Sequence, residues 1–240
     1  MIDLSFSRIQ SFQRCPWLYH LVFDEGMRGG KTGSMSFGTS LHRTLGAFLD
    51  DENSEKTLER LLEIYDQAWV NEGYKSIEQT LDTYSKGKDI LRNFLIDHQN
   101  NKSQKIETER EFRIEINSDL TLIGIIDRLD LSPAGIYEII EYKSNQEGWS
   151  DQKINQDLQM TLYAYAMKKE LKINNPRLKY YFLSSHTWVE TSRSDDQYLE
   201  LETLIQKTAN QIKNKIFTPN ISYCSFCEIG KRCEYYKESK

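Results

Sequence analysis

Hydrophobic positions change period part-way along the chain. From Leu4 to Phe23 the apolar residues Phe6, Ile9 and Phe12 recur at helical spacing, and Ser5 stands where a hydroxyl caps a helix start. Pro16 next to Cys15 predicts a kink or break between two short helices. Residues 24–36, DEGMRGGKTGSMS, are glycine-rich and read as a loop. Helices are predicted over Phe37–Leu49, after a Ser54 cap with Leu58, Leu61, Leu62, Tyr65 and Trp69 on one stripe, and over Ile77–His98, where Gly87 interrupts the pattern.

At about residue 105 the period falls to two. Ile106, Thr108, Arg110, Phe112, Ile114 and Ile116 alternate with charged or polar residues, predicting a strand with one wet face. Turns at 117–119 and 132–135 set off further strands over Leu120–Leu131 and Ile136–Lys143. A helix over Asn155–Leu171, strands over Arg177–Ser185 and Thr187–Thr191, and a helix over Tyr198–Ile216 complete the pattern. The expectation is an α/β fold. A central mixed sheet is flanked by helices, with a helical region at the N-terminus and a cysteine-bearing tail.

Composition narrows the class. The 240 residues suit one large domain or two small ones, and 12% aromatic content excludes a disordered chain. The longest uncharged aliphatic run near the middle, Leu120–Ile126, is seven residues. A bilayer needs ~20, so no membrane partner is expected. The start MIDLSFSRIQ shows no secretory pattern, which predicts a cytoplasmic protein. A net charge of −5 argues against a general polyanion binder but leaves room for a local basic groove, with Arg8, Arg14, Arg128, Lys153, Lys231 and Arg232 as candidates.

Cys15, Cys224, Cys227 and Cys233 are the four cysteines, and the last three read C-x2-C-x5-C. A reducing compartment disfavours disulfides. Four thiolates form a closed shell for tetrahedral zinc or for an iron–sulfur cluster, and spacing alone does not choose. Either centre would tie the tail, about 218–240, to Cys15.

Acidic residues inside apolar strands carry the other signal. Asp127 follows Leu-Ile-Gly-Ile-Ile, and Glu141 and Lys143 follow Ile139-Ile140 on the same strand side. A five-residue loop pairs Leu131 with Tyr137 and sets Asp127 opposite Glu141; a four-residue loop moves that register by one. Two carboxylates and a lysine on one face make a site for magnesium or manganese. The competing reading is an ion pair on a solvated sheet face. Gln159 and Tyr163 share a helix side, within reach of such a site, and His42 offers an imidazole ligand.

In order, Ser5-Phe-Ser7 with Cys15-Pro16, Gly38…His42, Gly124-Ile-Ile-Asp127, Glu141-Tyr-Lys143, Gln159…Tyr163 and C-x2-C-x5-C resemble the PD-(D/E)XK nuclease superfamily. The likeness is to its RecB-type iron–sulfur branch, which includes the AddB nuclease domain, CRISPR-associated exonucleases and exonuclease V. The resemblance implies a single nuclease domain over 1–240 with a helical insertion at about 44–100. It implies His42, Asp127, Glu141 and the Tyr142 carbonyl as metal ligands, Lys143 as catalytic, and Gln159 and Tyr163 as positioning groups. It further implies Glu109 as another acidic position and the four cysteines as ligands of a [4Fe–4S] cluster. The implied activity is a Mg2+- or Mn2+-dependent DNA exonuclease on single-stranded or frayed ends. The alternative is a catalytically silent iron–sulfur DNA-binding protein. Glu141 stands where this branch often has Asp, no proline precedes Asp127, and no G-x4-G-K-[ST] phosphate loop is present. Unwinding would therefore come from a helicase, repair or CRISPR partner.

Overall fold

The computed structural model describes residues 1–144 and 149–236, so residues 237–240 of the expected tail lie outside it. The strands are β1 (Ile2–Leu4), β2 (Gln104–Asn117), β3 (Leu120–Leu131), β4 (Tyr137–Lys143), β5 (Arg177–Phe182) and β6 (Thr187–Thr191). They form a mixed sheet in the order β1-β3-β4-β5-β6, with β2 paired to β3. The β1–β3 and β4–β5 pairs are parallel, and β3–β4 and β5–β6 are antiparallel. Helices and sheet together give the expected α/β architecture. β1 was not expected: three residues are too few to show an alternation.

The chain divides into two compact units. One holds residues 1–30, 112–124 and 194–240, and the other holds residues 31–111 and 125–193.

In the first unit, α1 (Phe6–Arg14) starts at a Ser5 hydroxyl that accepts from the Arg8 amide at 3.3 Å. Cys15 ends α1, and Pro16 opens α2 (Pro16–Tyr19), whose first turn needs no proline N–H. The chain continues into a wide π-turn, His20–Asp24. Helix α8 (Asp195–Lys213) carries a full capping box between Ser194 and Gln197. Its start, three residues before the expected Tyr198, follows from that cap.

In the second unit, α3 (Gly33–Asp50), α4 (Leu58–Ala68) and α5 (Ile77–Asn100) bury one core with β4 and β5, built on Leu41, Leu45, Phe48, Leu91, Phe94, Ile140 and Tyr181. The loop expected to run to residue 36 ends at Thr32, because the Thr32 hydroxyl accepts from the Met35 amide and starts α3 four residues early. Thr57, not Ser54, caps α4. Gly87 does not break α5. A side chain there would overlap the Tyr65 ring, so the glycine is a packing requirement. The single helix expected over Asn155–Leu171 is two, α6 (Asp151–Asn155) and α7 (Leu158–Glu170). The Asp157 carboxylate caps the Met160 amide at 3.0 Å and restarts the chain there.

Candidate active site

The β3–β4 hairpin sets the geometry. Leu131 pairs with Tyr137 and Arg128 with Ile140, the register of the five-residue loop. One step further the regular ladder ends. There the Tyr142 amide donates to Asp127 Oδ2 at 2.8 Å, so the aspartate side chain takes over a strand hydrogen bond and is oriented by it. Its other oxygen, Oδ1, lies 3.2 Å from His42 Nδ1.

Helix α3 reaches this point through one stripe of residues. Gly38, His42 and Gly46 are four apart and share a side. A Cβ at Gly38 would stand 3.1 Å from Ser144 Oγ, and one at Gly46 would stand 3.2 Å from Glu109 Cγ. Two missing side chains thus let the helix lie against the end of β4 and the body of β2 with the imidazole between them. Ligand atoms of His42, Glu109 and Asp127 fall within 4.8 Å of one another. Glu109 reaches this group from inside β2 with φ of 46°, a left-handed backbone that a non-glycine residue holds only at a cost.

A second chain of contacts runs from β4 to α7. Lys143 Nζ donates to Glu141 Oε1 and to Gln159 Oε1, both at 2.8 Å. Gln159 Nε2 then donates to the Tyr163 hydroxyl at 2.9 Å. Glu141 Oε2 is buried with no hydrogen-bond partner among the described residues.

Charges in this pocket perturb one another. Burial and the nearby Asp127 carboxylate push Glu141 up to about 8. Burial, with Asp127 again, also raises Glu109. Burial works against the His42 imidazolium, but Asp127 outweighs it and lifts His42 to about 9. Burial likewise opposes the Asp127 carboxylate, yet His42 and the Tyr142 amide hold it below its usual range. Two carboxylates raised by burial and by the charge of a third, and an orphaned carboxylate oxygen, are the electrostatic profile of a cation site. The oxygen-rich donors with one imidazole fit a hard divalent ion.

A family model of the PD-(D/E)XK nuclease superfamily matches residues 3–234. The chain belongs to that superfamily. It is similar to a subunit of the ATP-dependent helicase/deoxyribonuclease of Streptococcus mutans serotype c, 24% identical over 184 residues, covering 72% of this chain and 17% of that protein. The corresponding protein of Streptococcus agalactiae serotype Ia is 25% identical over 172 residues, covering 68% of this chain and 16% of that protein. The chain thus spans under a fifth of the length of these relatives. The crystal structure of SSO0001 aligns with a TM-score of 0.42 and 17% identity, covering 83% of this chain and 86% of that one.

Arg128, a candidate phosphate contact, is corrected by the structure. The residue is 1% exposed and its guanidinium makes a bidentate pair with Asp130 at 2.6 and 2.7 Å, so it holds the hairpin from inside. Trp149 was not anticipated. Lys143 Nζ lies 5.0 Å from its ring centre and Lys153 Nζ 4.0 Å. A lone tryptophan outside any periodic run gives no signal in sequence.

The cysteines belong to the first unit. Cys15, Cys224, Cys227 and Cys233 all line one cavity with Leu18, Leu21 and Tyr223. The Asn220 amide donates to Cys15 Sγ at 3.2 Å, and Asn220 Nδ2 donates to the Arg14 carbonyl at 2.8 Å, fixing the start of the tail on α1. Two 3-10 turns, Ile221–Phe226 and Gly230–Arg232, then bring the last three thiols round. Burial, with the neighbouring thiols adding to it, raises Cys233.

Proposed function

We propose that this chain is a Mg2+- or Mn2+-dependent deoxyribonuclease acting as an exonuclease on single-stranded or frayed DNA ends. What supports the reading most is one observation. Asp127 and the Glu141–Lys143 pair meet at the end of one hairpin, beside His42, with a buried carboxylate oxygen left unpaired.

In this reading His42, Asp127, Glu141 and the Tyr142 carbonyl hold the ion, with Glu109 as a further carboxylate. The bound ion would neutralise charge on the scissile phosphate and make a water oxygen more nucleophilic. Lys143 is the catalytic lysine. Its ammonium, held by two oxygens at 2.8 Å, offers positive charge to the phosphate oxygens as they gain negative charge. Gln159 fixes the lysine, and Tyr163 fixes Gln159. In the hydrolysis the water oxygen bonds to phosphorus, the bond from phosphorus to the leaving sugar oxygen breaks, and that oxygen takes up a proton.

The four cysteines hold a [4Fe–4S] cluster in this proposal. All four thiols line one cavity in the first unit, which suits a closed four-thiolate shell, and a single tetrahedral zinc is the competing centre for the same ligands. The names of the relatives speak of a helicase, and this sequence has no phosphate loop, so a helicase, repair or CRISPR protein is the partner we assign. No helix among the described residues is long and apolar enough to cross a membrane. Reduced thiols for a cluster favour a cytoplasmic setting.

The test is cleavage of end-labelled single-stranded DNA with added manganese. Lys143→Ala should lose on the order of 10²–10³ in kcat while still binding DNA. Wild-type cleavage by that variant would remove the lysine from the mechanism. DNA binding with no metal-dependent cleavage by the intact chain would favour the silent iron–sulfur protein instead.

A further inference from the structure

We propose that Trp149 is a positioning residue for Lys143, its indole face holding the ammonium in place for the hydrolysis. The inference rests on the role given to Lys143 above.

The argument begins with the strand neighbours. In the parallel β4–β5 pair, Glu141 stands beside Tyr180 and Lys143 beside Phe182. Trp149 packs on both aromatic rings of that pair, 5.5 Å from Tyr180 and 6.1 Å from Phe182 between ring centres. Its place over the Glu141–Lys143 edge is therefore set by the adjacent strand. The Ser150 hydroxyl, one residue on, caps the Lys153 amide at 3.3 Å and starts α6, which anchors the other side of the tryptophan.

Among the described residues, Lys143 meets three different surfaces. Two are oxygens, from Glu141 and Gln159. The third is the ring, 5.0 Å from Nζ to its centre, within the range at which a cation is attracted to an aromatic face. Lysine has a long, freely rotating stem, and an ammonium is a compact point charge without a fork to fix its direction. Two hydrogen bonds to the Glu141 and Gln159 oxygens hold the ammonium from one end and leave the methylene stem room to swing about them. A rigid aromatic face restricts it.

The indole nitrogen supports the same conclusion. Nε1 is buried and without a hydrogen-bond partner among the described residues. Buried indole N–H groups ordinarily find an acceptor, and leaving one unpaired is unfavourable. A purely apolar contact could be made by leucine or phenylalanine without that loss. What tryptophan adds is the strongest cation-attracting face of any side chain. Lys153, 4.0 Å from the ring centre, uses the same property.

The experiment measures DNA cleavage by the full chain in manganese, with wild type, Trp149→Phe, Trp149→Leu and Lys143→Ala, and with mono-, di- and trifluorotryptophan placed at position 149. Fluorination keeps the shape of the ring while draining its face of electron density. We expect log kcat to fall steadily along the fluorinated series. Trp149→Leu should lose about 10-fold in kcat with KM for DNA unchanged, and Trp149→Phe should recover most of that loss. A filler role would leave the fluorinated proteins at wild-type turnover. That result, with Lys143→Ala inactive, overturns the role of the ring alone. Full cleavage by Lys143→Ala overturns the reading of the site on which the inference stands.

Discussion

Replacing Glu109 with glycine should stabilise the metal-free protein and disable the metal-bound one. Glu109 holds φ of 46° within β2. The left-handed region costs a non-glycine residue roughly 1–2 kcal/mol, and glycine adopts it without that cost. Against this, glycine loses more chain entropy on folding, roughly 0.5–1 kcal/mol. The carboxylate adds a second burden, since burial and Asp127 both raise its proton affinity. Glu109→Gly removes strain and charge together, for a net gain of about 0.5–1 kcal/mol. In a chain of this size that is a rise of about 1–4 °C in Tm. Glu109→Gln removes the charge but keeps the backbone strain, so its gain should be smaller. Thermal unfolding in a chelator gives the order glycine, then glutamine, then wild type. Added manganese should reverse it. A ligand at 100 times its Kd stabilises the native state by ~2.7 kcal/mol, and variants lacking the carboxylate should receive less of that. A glycine variant that melts below wild type in chelator would refute the strain argument. An equal manganese shift in all three proteins would refute the assignment of Glu109 to the ion.

Burial holds His98 at about 4, with Arg128 and Lys56 adding to the effect. The folded state therefore resists a proton that the unfolded chain accepts below about 6.5, so stability is full above that pH and declines toward pH 4. His98→Phe should lose roughly 1–2 kcal/mol less than wild type between pH 7 and 4, allowing for the part of the ring that water reaches, as read from urea unfolding at each pH. Cys15→Ser should lower bound iron and acid-labile sulfide to near zero, with loss of the visible sulfur-to-iron absorption. A colourless wild-type preparation with bound zinc would reject the cluster.

The fold was legible wherever a run was long enough to show its period. The alternation of β2 and the stripe of α4 each extend over many residues, and both stand where the pattern put them. The errors lie at punctuation. Thr32, Thr57 and Asp157 cap helices by single hydrogen bonds that several nearby hydroxyl or carboxylate residues were equally able to make. Gly87 reads as a breaker because propensity is local, whereas its reason is a tyrosine twenty-two positions earlier. β1 is legible only through the edge of β3 that it completes.

The site was legible to the extent that its chemistry is unusual for its surroundings. A carboxylate after five apolar strand residues needs a counter-charge, and that requirement singled out Asp127 and Glu141 before any partner was known. Arg128 lies one position from Asp127 and was just as conspicuous, but successive strand residues face opposite ways. The arginine accordingly found Asp130 in the interior, while Asp127 turned to His42. That alternation has a chemical consequence. The hairpin neutralises itself completely on the Arg128 side and incompletely on the Asp127 side. There, among the described residues, His42 and Lys143 stand against Glu109, Asp127 and Glu141. A buried pair that is balanced stabilises a hairpin, and one left short of positive charge waits for a cation from outside. The same two strands thus provide a rigid support on one face and, on the other, an edge whose charge suits a cation, and exchanging Arg128 and Asp127 in sequence would abolish both.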